Sequence, residues 1–374
     1  MRETGKYQSF GNLRHFIPYA LPPQNPIFGF DNEIINLLGE ANFNLGRLNE
    51  MSKRLPDPER FIKAYIIKEA LISSSIEGIH TTLVDVFEQP LKSSQIDKNT
   101  QLVLNYTTAL EEGLASIKKD KMPIVSRIIC SLHKTLMSDG DGDKASPGIY
   151  RKQSVKVGDL TPPPAPLITE LMSDLEKYIN EKDTLPPLIR SALVHVQFET
   201  IHPFLDGNGR IGRLLIILML IEEGILEVPI LYLSYYFKKH SLEYYQKLDA
   251  VRTTGDFESW VIYYLKAIRD SSIDAHYRAK EIEALEVKMK TLIQTHPKFY
   301  RMRESALSLL DILFRRPVVN ITEISQCLGK SYNTIAKLLN IFLELKLVSE
   351  TEDKKRYKIF RFSPYLEVLE NDYS

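Results

Sequence analysis

Cysteine is almost absent from this 374-residue chain: Cys130 and Cys327 are the only two, far apart and without metal-site spacing. A disulfide scaffold and a cysteine-ligated zinc centre are therefore excluded, and a reducing compartment with buried thiols is expected. Long apolar runs are missing too. The longest unbroken one, residues 214–221, has eight residues, whereas a membrane-spanning helix needs roughly twenty. Nor is there an excess of charge. The 48 basic and 48 acidic residues give a formal net charge of zero, so bulk electrostatics supply no pull toward a polyanion or a membrane. Residues 1–10 are polar and lack the apolar core of an export signal. What is present, 44% hydrophobic and 26% charged residues, is ordinary for a globular protein with two or three cores. A soluble cytoplasmic protein with no membrane partner is the expectation.

Against that background one stretch concentrates chemistry: His202-Pro203-Phe204-Leu205-Asp206-Gly207-Asn208-Gly209-Arg210-Ile211-Gly212-Arg213. It lies between two apolar segments, 188–200 and 211–221, that read as helices. Gly207, Asn208 and Gly209 would open the second one. A helix start offers unpaired N–H groups and the positive end of the dipole, and small residues let a phosphate approach the backbone. Arg210 and Arg213 are three apart, so on a helix they share a face and can clamp phosphate oxygens. Asp206 supplies a hard oxygen suited to Mg²⁺, which takes one or two carboxylates plus substrate phosphates. His202 is a side chain that titrates near neutrality unless perturbed, and so a candidate proton acceptor. The combination describes a nucleotide-transfer site.

The stretch resembles the signature of the Fic family, His-x-Phe-x-Asp/Glu-Gly-Asn-Gly-Arg-x-x-Arg, at every fixed position. The resemblance implies transfer of AMP from ATP, with Mg²⁺, to a Ser, Thr or Tyr hydroxyl of a target protein or of the chain itself. It implies His202 as catalytic base, Asp206 as metal carboxylate, Phe204 as core anchor, and Leu205, Gly207, Asn208, Gly209, Arg210 and Arg213 as nucleotide-binding residues. A second resemblance lies at Ser73-Ser74-Ser75-Ile76-Glu77-Gly78. It looks like the inhibitory motif of self-inhibited Fic proteins, Ser/Thr-x-x-x-Glu-Gly/Asn. There the glutamate, here Glu77 with Ser73 a turn earlier, pairs with the second signature arginine, here Arg213. A carboxylate competing with phosphate for one guanidinium is physically sound.

Helical periodicity, caps and breakers point to a mainly α chain. The expected fold is a Fic-type helical bundle with a small β-hairpin flap, followed by a C-terminal winged helix-turn-helix. The expected division is an N-terminal helical region over 1–120 with its inhibitory helix at 57–78, a catalytic core over 121–270, a helical connector over 271–300, and the winged helix over 301–374. Residues 1–30, with four prolines and no clear periodicity, read as an extended arm. Asp139, Asp141 and Asp143 alternate, but Lys144 and Tyr150 stand where an EF-hand loop needs Gly and Glu, so a solvated loop is expected. Residues 148–158 partly alternate like a hairpin. The resemblance implies a target-docking flap there, with Val155 and Val157 on it, since exposed strand edges recruit extended segments. His195, in an apolar helix, reads as a core histidine. In the helix matching 241–253, relatives contact adenine and ribose, which makes Tyr244 and Tyr245 candidates. Some relatives have Asn near the position of Arg252, where this chain departs.

Over 301–374 the twelve basic and ten acidic residues give little electrostatic support for DNA. DNA contact through the recognition-position helix 331–345 therefore stands beside docking or dimer formation, and a homodimer is implied by the resemblance alone. Removal of AMP, transfer of another phosphoryl group, and a DNA-binding regulator with a nucleotide-sensing core stay open beside AMP transfer.

Overall fold

The computed structural model describes residues 2–54, 58–91, 96–138, 146–181, 184–350 and 358–370, apart from the side chains of 54 and 58–61. Among the described residues it has fifteen α-helices and two small antiparallel sheets. The first residue of the expected inhibitory helix, Asp57, the acidic loop with Asp139, Asp141 and Asp143, and residues 351–357 of the expected winged helix lie outside the described residues.

The chain opens with a hairpin of β1 (Gly5–Phe10) and β2 (Leu13–Pro18), paired antiparallel from Gly5↔Pro18 to Phe10↔Leu13. This corrects the extended arm. Gly11, at φ +58°, and Asn12 form a two-residue turn. The second strand is anchored, with His15 to Pro18 buried and the Phe16 N–H donating to Thr161 O at 2.9 Å.

Helices α1 (Asn32–Arg54), α2 (Pro58–Ile76), α3 (Leu83–Glu88), α4 (Lys98–Lys118) and α5 (Ser126–Leu136) follow. Thr82 and Asp97 cap α3 and α4, each side chain accepting from the backbone N–H three residues on. Next come α6 (Ile168–Asn180), α7 (Pro187–Ile201) and α8 (Asn208–Glu222). The middle of the molecule is α7 against α8. Every residue from Leu188 to Ile201 is buried, and α8 is buried throughout except at Gly209 and its last residue. Helices buried all round lie at the centre of a bundle, so the six residues joining these two are held on a rigid base.

Helices α9 (Ser234–Lys239), α10 (Ser241–Thr254) and α11 (Phe257–Thr295) complete the body. Two helices were expected where α11 runs unbroken for 39 residues. Neither Gly nor Pro interrupts it, and the Ser272 hydroxyl bonds back to Ile268 O at 2.6 Å. The remaining elements are α12 (Arg303–Arg315), β3 (Val318–Asn320), α13 (Ile321–Leu328), α14 (Tyr332–Glu344), β4 (Ser349–Glu350), β5 (Ile359–Arg361) and α15 (Ser363–Glu370), with sheet order β3-β5-β4. The sequence reading had no counterpart for α15. It docks on the body: Lys68 Nζ of α2 donates to Leu369 O, and Arg278 Nη1 of α11 to Val368 O, both at 2.9 Å. Of the two cysteines, Cys130 is half-buried but Cys327 is exposed, contrary to the expectation of two buried thiols.

Residues 148–158 do not form a regular two-stranded ladder. One antiparallel bridge, Val157↔Leu160, closes a turn, and Val155 and Val157 are half-buried. Alternation was carried by too few residues to zip a second strand, and Arg151 leaves the strand pattern to bond elsewhere.

Candidate active site

Helix α7 ends because His202 takes a left-handed conformation (φ +49°, ψ 62°), its N–H still donating to Phe198 O at 2.9 Å. For a non-glycine residue that geometry is uncommon and must be held in place. Three contacts hold the loop that follows. Phe204 is wholly buried and its ring stacks on His133 at 3.7 Å and 4°. Asn208 reaches back, accepting from Phe204 N–H at 2.8 Å and donating to Phe204 O at 2.9 Å. His133 Nδ1 accepts from Gly148 N–H at 2.8 Å, so its Nε2 carries the proton and donates to Asp206 O at 3.0 Å. Burial pushes His133 down to about 4, which keeps this tautomer neutral. Gly207 turns the chain into α8 at φ +75°, and a Cβ there would meet Met137 Sδ at 3.0 Å. Asp206, exposed, accepts from Gly207 N–H through Oδ1 at 2.6 Å.

Arg213 is 3% exposed. Its Nε donates to Ser73 Oγ at 2.8 Å, and its Nη2 to Ser73 O at 2.9 Å and Glu77 Oε1 at 2.8 Å. The helix end of α2 thus delivers both expected partners, Ser73 and Glu77, to Arg213. Burial works to raise the Glu77 carboxyl, but the charge and hydrogen bond of Arg213, with Arg210 adding, hold it below the usual carboxylate range. The carboxylate also covers the start of α8, since a Cβ on Gly209 would lie 2.3 Å from Glu77 Oε1. Arg210, 2% exposed, donates Nη2 to Met137 Sδ at 3.4 Å, while its buried Nε and Nη1 have no partner. Buried guanidinium donors without acceptors are costly, and they suit an anion that comes and goes.

His202 departs from the near-neutral expectation. Burial pushes it down to about 4, its Nδ1 lying 3.4 Å from Glu199 O, so the imidazole is neutral at physiological pH. Leu205 is half-buried in the same loop.

The two tyrosine candidates separate. Tyr244 is 2% exposed and its hydroxyl is bonded to His195 Nε2 at 2.7 Å, so that it supports His195 beneath the site. Tyr245 is 51% exposed and lies within the electrostatic reach of Glu77 and Arg213. His195 is a core histidine, fully buried and pushed down to about 3 by burial. Arg252 pairs with Asp249 at 3.0 Å on its own helix.

Two residues escaped the sequence reading. Glu199, one turn before His202, is buried with Oε1 unpartnered, and burial pushes it up to about 7, Glu77 adding and Arg213 opposing. Gly212 makes room for it, because a Cβ there would lie 2.4 Å from Glu199 Oε1. The one carboxylate of α7 was the available signal. Arg151 is the other, and nothing in its local pattern marked it.

With this geometry in view, residues 35–115 match the family described as Fic/DOC family N-terminal, and residues 123–220 match Fic/DOC family. The two matched segments contain residues 73–78 and 202–213. The chain is similar to protein adenylyltransferase fic-1 of Caenorhabditis elegans, 32% identical over 37% of this chain and 26% of that protein. It is also similar to a probable protein adenylyltransferase of Aquifex aeolicus, 28% identical over 46% of this chain and 52% of that one. The chain therefore spans about a quarter to a half of these curated relatives. In fold, the solved Fic family protein from Desulfovibrio desulfuricans superposes at a TM-score of 0.56 with 22% identity, over 90% of this chain and 98% of its own. The second matched segment ends within α8 and includes the loop held by Phe204, His133 and Asn208 that precedes it.

Proposed function

We propose that this chain is a protein adenylyltransferase, moving AMP from ATP to a Ser, Thr or Tyr hydroxyl of a target protein or of itself, and that Glu77 holds it back. The observation that carries the reading is Arg210: a buried guanidinium with two donors unpartnered, beside a glycine-lined helix start and one turn from Arg213. A polyphosphate supplies the missing acceptors. Asp206 fits as the protein carboxylate for Mg²⁺, exposed beside the glycine turn, since such an ion is held largely by substrate phosphates. When bound, the ion would neutralise charge on the polyphosphate.

In the proposed step, the neutral imidazole of His202 takes the hydroxyl proton as the target oxygen bonds to the α-phosphorus. The bond from that phosphorus to the bridging oxygen breaks, and pyrophosphate leaves with the electron pair. Arg210, Arg213 and the N–H groups at the start of α8 stabilise the phosphate charge. A positioned base contributes about 10²–10⁴-fold and one charge-stabilising donor on the order of 10²–10³-fold. Val155 and Val157 would meet the target segment, and Leu205 and Tyr245 the nucleoside. In the resting arrangement the Glu77 carboxylate occupies Arg213 and overlies Gly209, where phosphate would have to sit.

Incubation with α-labelled ATP and Mg²⁺ tests the reading. Label retained on protein by the Glu77→Gly form and lost when His202→Ala is added supports it, and no label under any condition refutes it. Loss of label from a pre-modified target would instead indicate AMP removal.

One observation favours a second role. The order α12-β3-α13-α14-β4-β5 is that of a winged helix, and α14 exposes Tyr332, Asn333 and Lys337 together. Salt-sensitive binding of duplex DNA, abolished by Lys337→Glu, would support a regulator. The same measurement made by sedimentation tests the implied homodimer.

A further inference from the structure

We propose that Arg151 is a positioning residue for His202: its guanidinium fixes the backbone that aims the imidazole. The inference rests on the reading of His202 as the base.

Arg151 is 2% exposed, and its donors are spent on backbone carbonyls alone. Nε donates to His202 O at 2.8 Å, Nη2 to Pro163 O at 2.6 Å and Ile201 O at 3.3 Å, and Nη1 to Gln153 O at 3.0 Å. Ile201 O and His202 O are carbonyls that the C-terminus of α7 leaves without intrahelical partners. A cation there also complements the negative end of the helix dipole. The Arg151 N–H adds a bond to Pro203 O at 2.9 Å. The segment from Gly148 to Arg151 thus grips the active loop from one side, in part through His133. Gly148 bonds His133, which bonds Asp206, while Arg151 bonds His202 and Pro203. The stretch is itself pinned, because Gly148 sits at φ +76° with Cys130 O 2.9 Å from where a Cβ would be.

The left-handed conformation of His202 gives this clamp a specific task. A residue held in a sparsely populated region relaxes when its supports are removed. Leaving the left-handed conformation turns the peptide carbonyl of His202, and Arg151 holds that carbonyl. A lysine has one ammonium and no planar fork, so it cannot serve four carbonyls at once.

The charge does a second thing. Among the described residues Arg151 pairs with no carboxylate, and burial lowers it only to about 10, so it stays cationic. The groups acting on His202 are Glu77 from α2, Asp206 from its own loop, the Glu199 carbonyl from α7, and Arg151 behind it. Arg151 is the cation in that set and opposes protonation of the imidazole, where Glu77 and Asp206 favour it.

The test uses the full chain with Arg151→Met, which removes charge and fork, and Arg151→Lys, which keeps the charge. The His202 ring signals, assigned by their absence in His202→Gln, are titrated by NMR, and labelled AMP incorporation is measured in the Glu77→Gly background. In Arg151→Met the His202 titration should move upward, and kcat should fall by on the order of 10²-fold, the cost of a displaced group. KM for ATP should change by less than about threefold, as for a lost interaction made only in the transition state. In Arg151→Lys the titration should stay near the wild-type position while kcat still falls. A wild-type titration and undiminished kcat per folded molecule in Arg151→Met overturn the proposal. Should Arg151→Met not fold, undiminished kcat in Arg151→Lys overturns it. The titration is read without turnover, so a chain with no transferase activity would fail the functional reading and leave this one still measurable.

Discussion

Replacing Glu77 with glycine removes one of three acceptors on the Arg213 guanidinium and uncovers the start of α8. Ser73 Oγ and Ser73 O keep their bonds, so Arg213 stays in place while Nη2 loses its charged partner. A hydrogen bond between charged groups contributes about 1.5–3 kcal/mol. The Arg213 side chain is 2% exposed but that of Glu77 is 35% exposed, so solvent screening favours the lower part of that range. Taking about 1.5–2 kcal/mol as the cost of displacing the carboxylate, the competent form is depleted by about tenfold to thirtyfold. Glu77→Gly should raise the initial rate of label transfer from α-labelled ATP by that factor, measured at ATP well below saturation. Glu77→Gln, which keeps volume but loses charge, should recover part of it. Because Gly78 already follows at φ +77° and α2 ends at Ile76, the substitution falls past the helix, and only the lost ion pair should lower the melting temperature, by a few degrees at most. An unchanged or reduced rate, with ATP binding intact and His202 present, would refute the competition between carboxylate and phosphate.

Other substitutions separate support from contact. Asn208→Ala strands the buried N–H and C=O of Phe204, and at about 1–3 kcal/mol for each orphaned group should lower stability by about 2–5 kcal/mol in urea unfolding and abolish transfer. Tyr244→Phe leaves His195 Nε2 without its partner and should lower stability by about 1–2 kcal/mol with KM for ATP unchanged, whereas Tyr245→Ala should raise KM several-fold with no change in melting. Glu199 holds its proton up to about 7 in the folded chain against 4.5 ordinarily, so its contribution is present below 4.5 and is lost as pH rises to 7. Relative to wild type, Glu199→Gln should therefore gain up to about 3 kcal/mol between pH 4.5 and 7 and nothing further above, at 1.36 kcal/mol per pH unit. Denaturant melts across that range check it, and a flat difference would contradict a buried protonated carboxyl.

How the site became legible is instructive residue by residue. His202, Asp206, Gly207, Gly209, Arg210 and Arg213 stand together in twelve residues, and a contiguous pattern needs no knowledge of folding to be seen. Glu77 was legible only through the resemblance of residues 73–78 to a family motif, since its partner is far along the chain. Glu199 and Arg151 were not read. Glu199 looks like one of several polar residues in α7 until Gly212 is brought against it by the packing of α7 on α8. Arg151 owes its role to carbonyls at 153, 163, 201 and 202, and backbone acceptors leave no trace in side-chain identity. The hairpin at Gly5–Pro18 was missed because prolines after it masked a short Gly-Asn turn, and the 148–158 segment was over-read because alternation alone does not supply a partner strand.

Local chemistry belongs to the amino-acid sequence itself: which helices are mostly apolar and so central, where glycine must turn the chain, and which groups can carry a proton or bind phosphate. Tertiary packing alone decided that the end of α2 covers the start of α8, that Tyr244 is spent on His195 while Tyr245 is exposed, and that the His202 imidazole is neutral. Those outcomes depend on burial and on distances between residues remote along the chain, and electrostatic and desolvation energies are set by these quantities rather than by residue type.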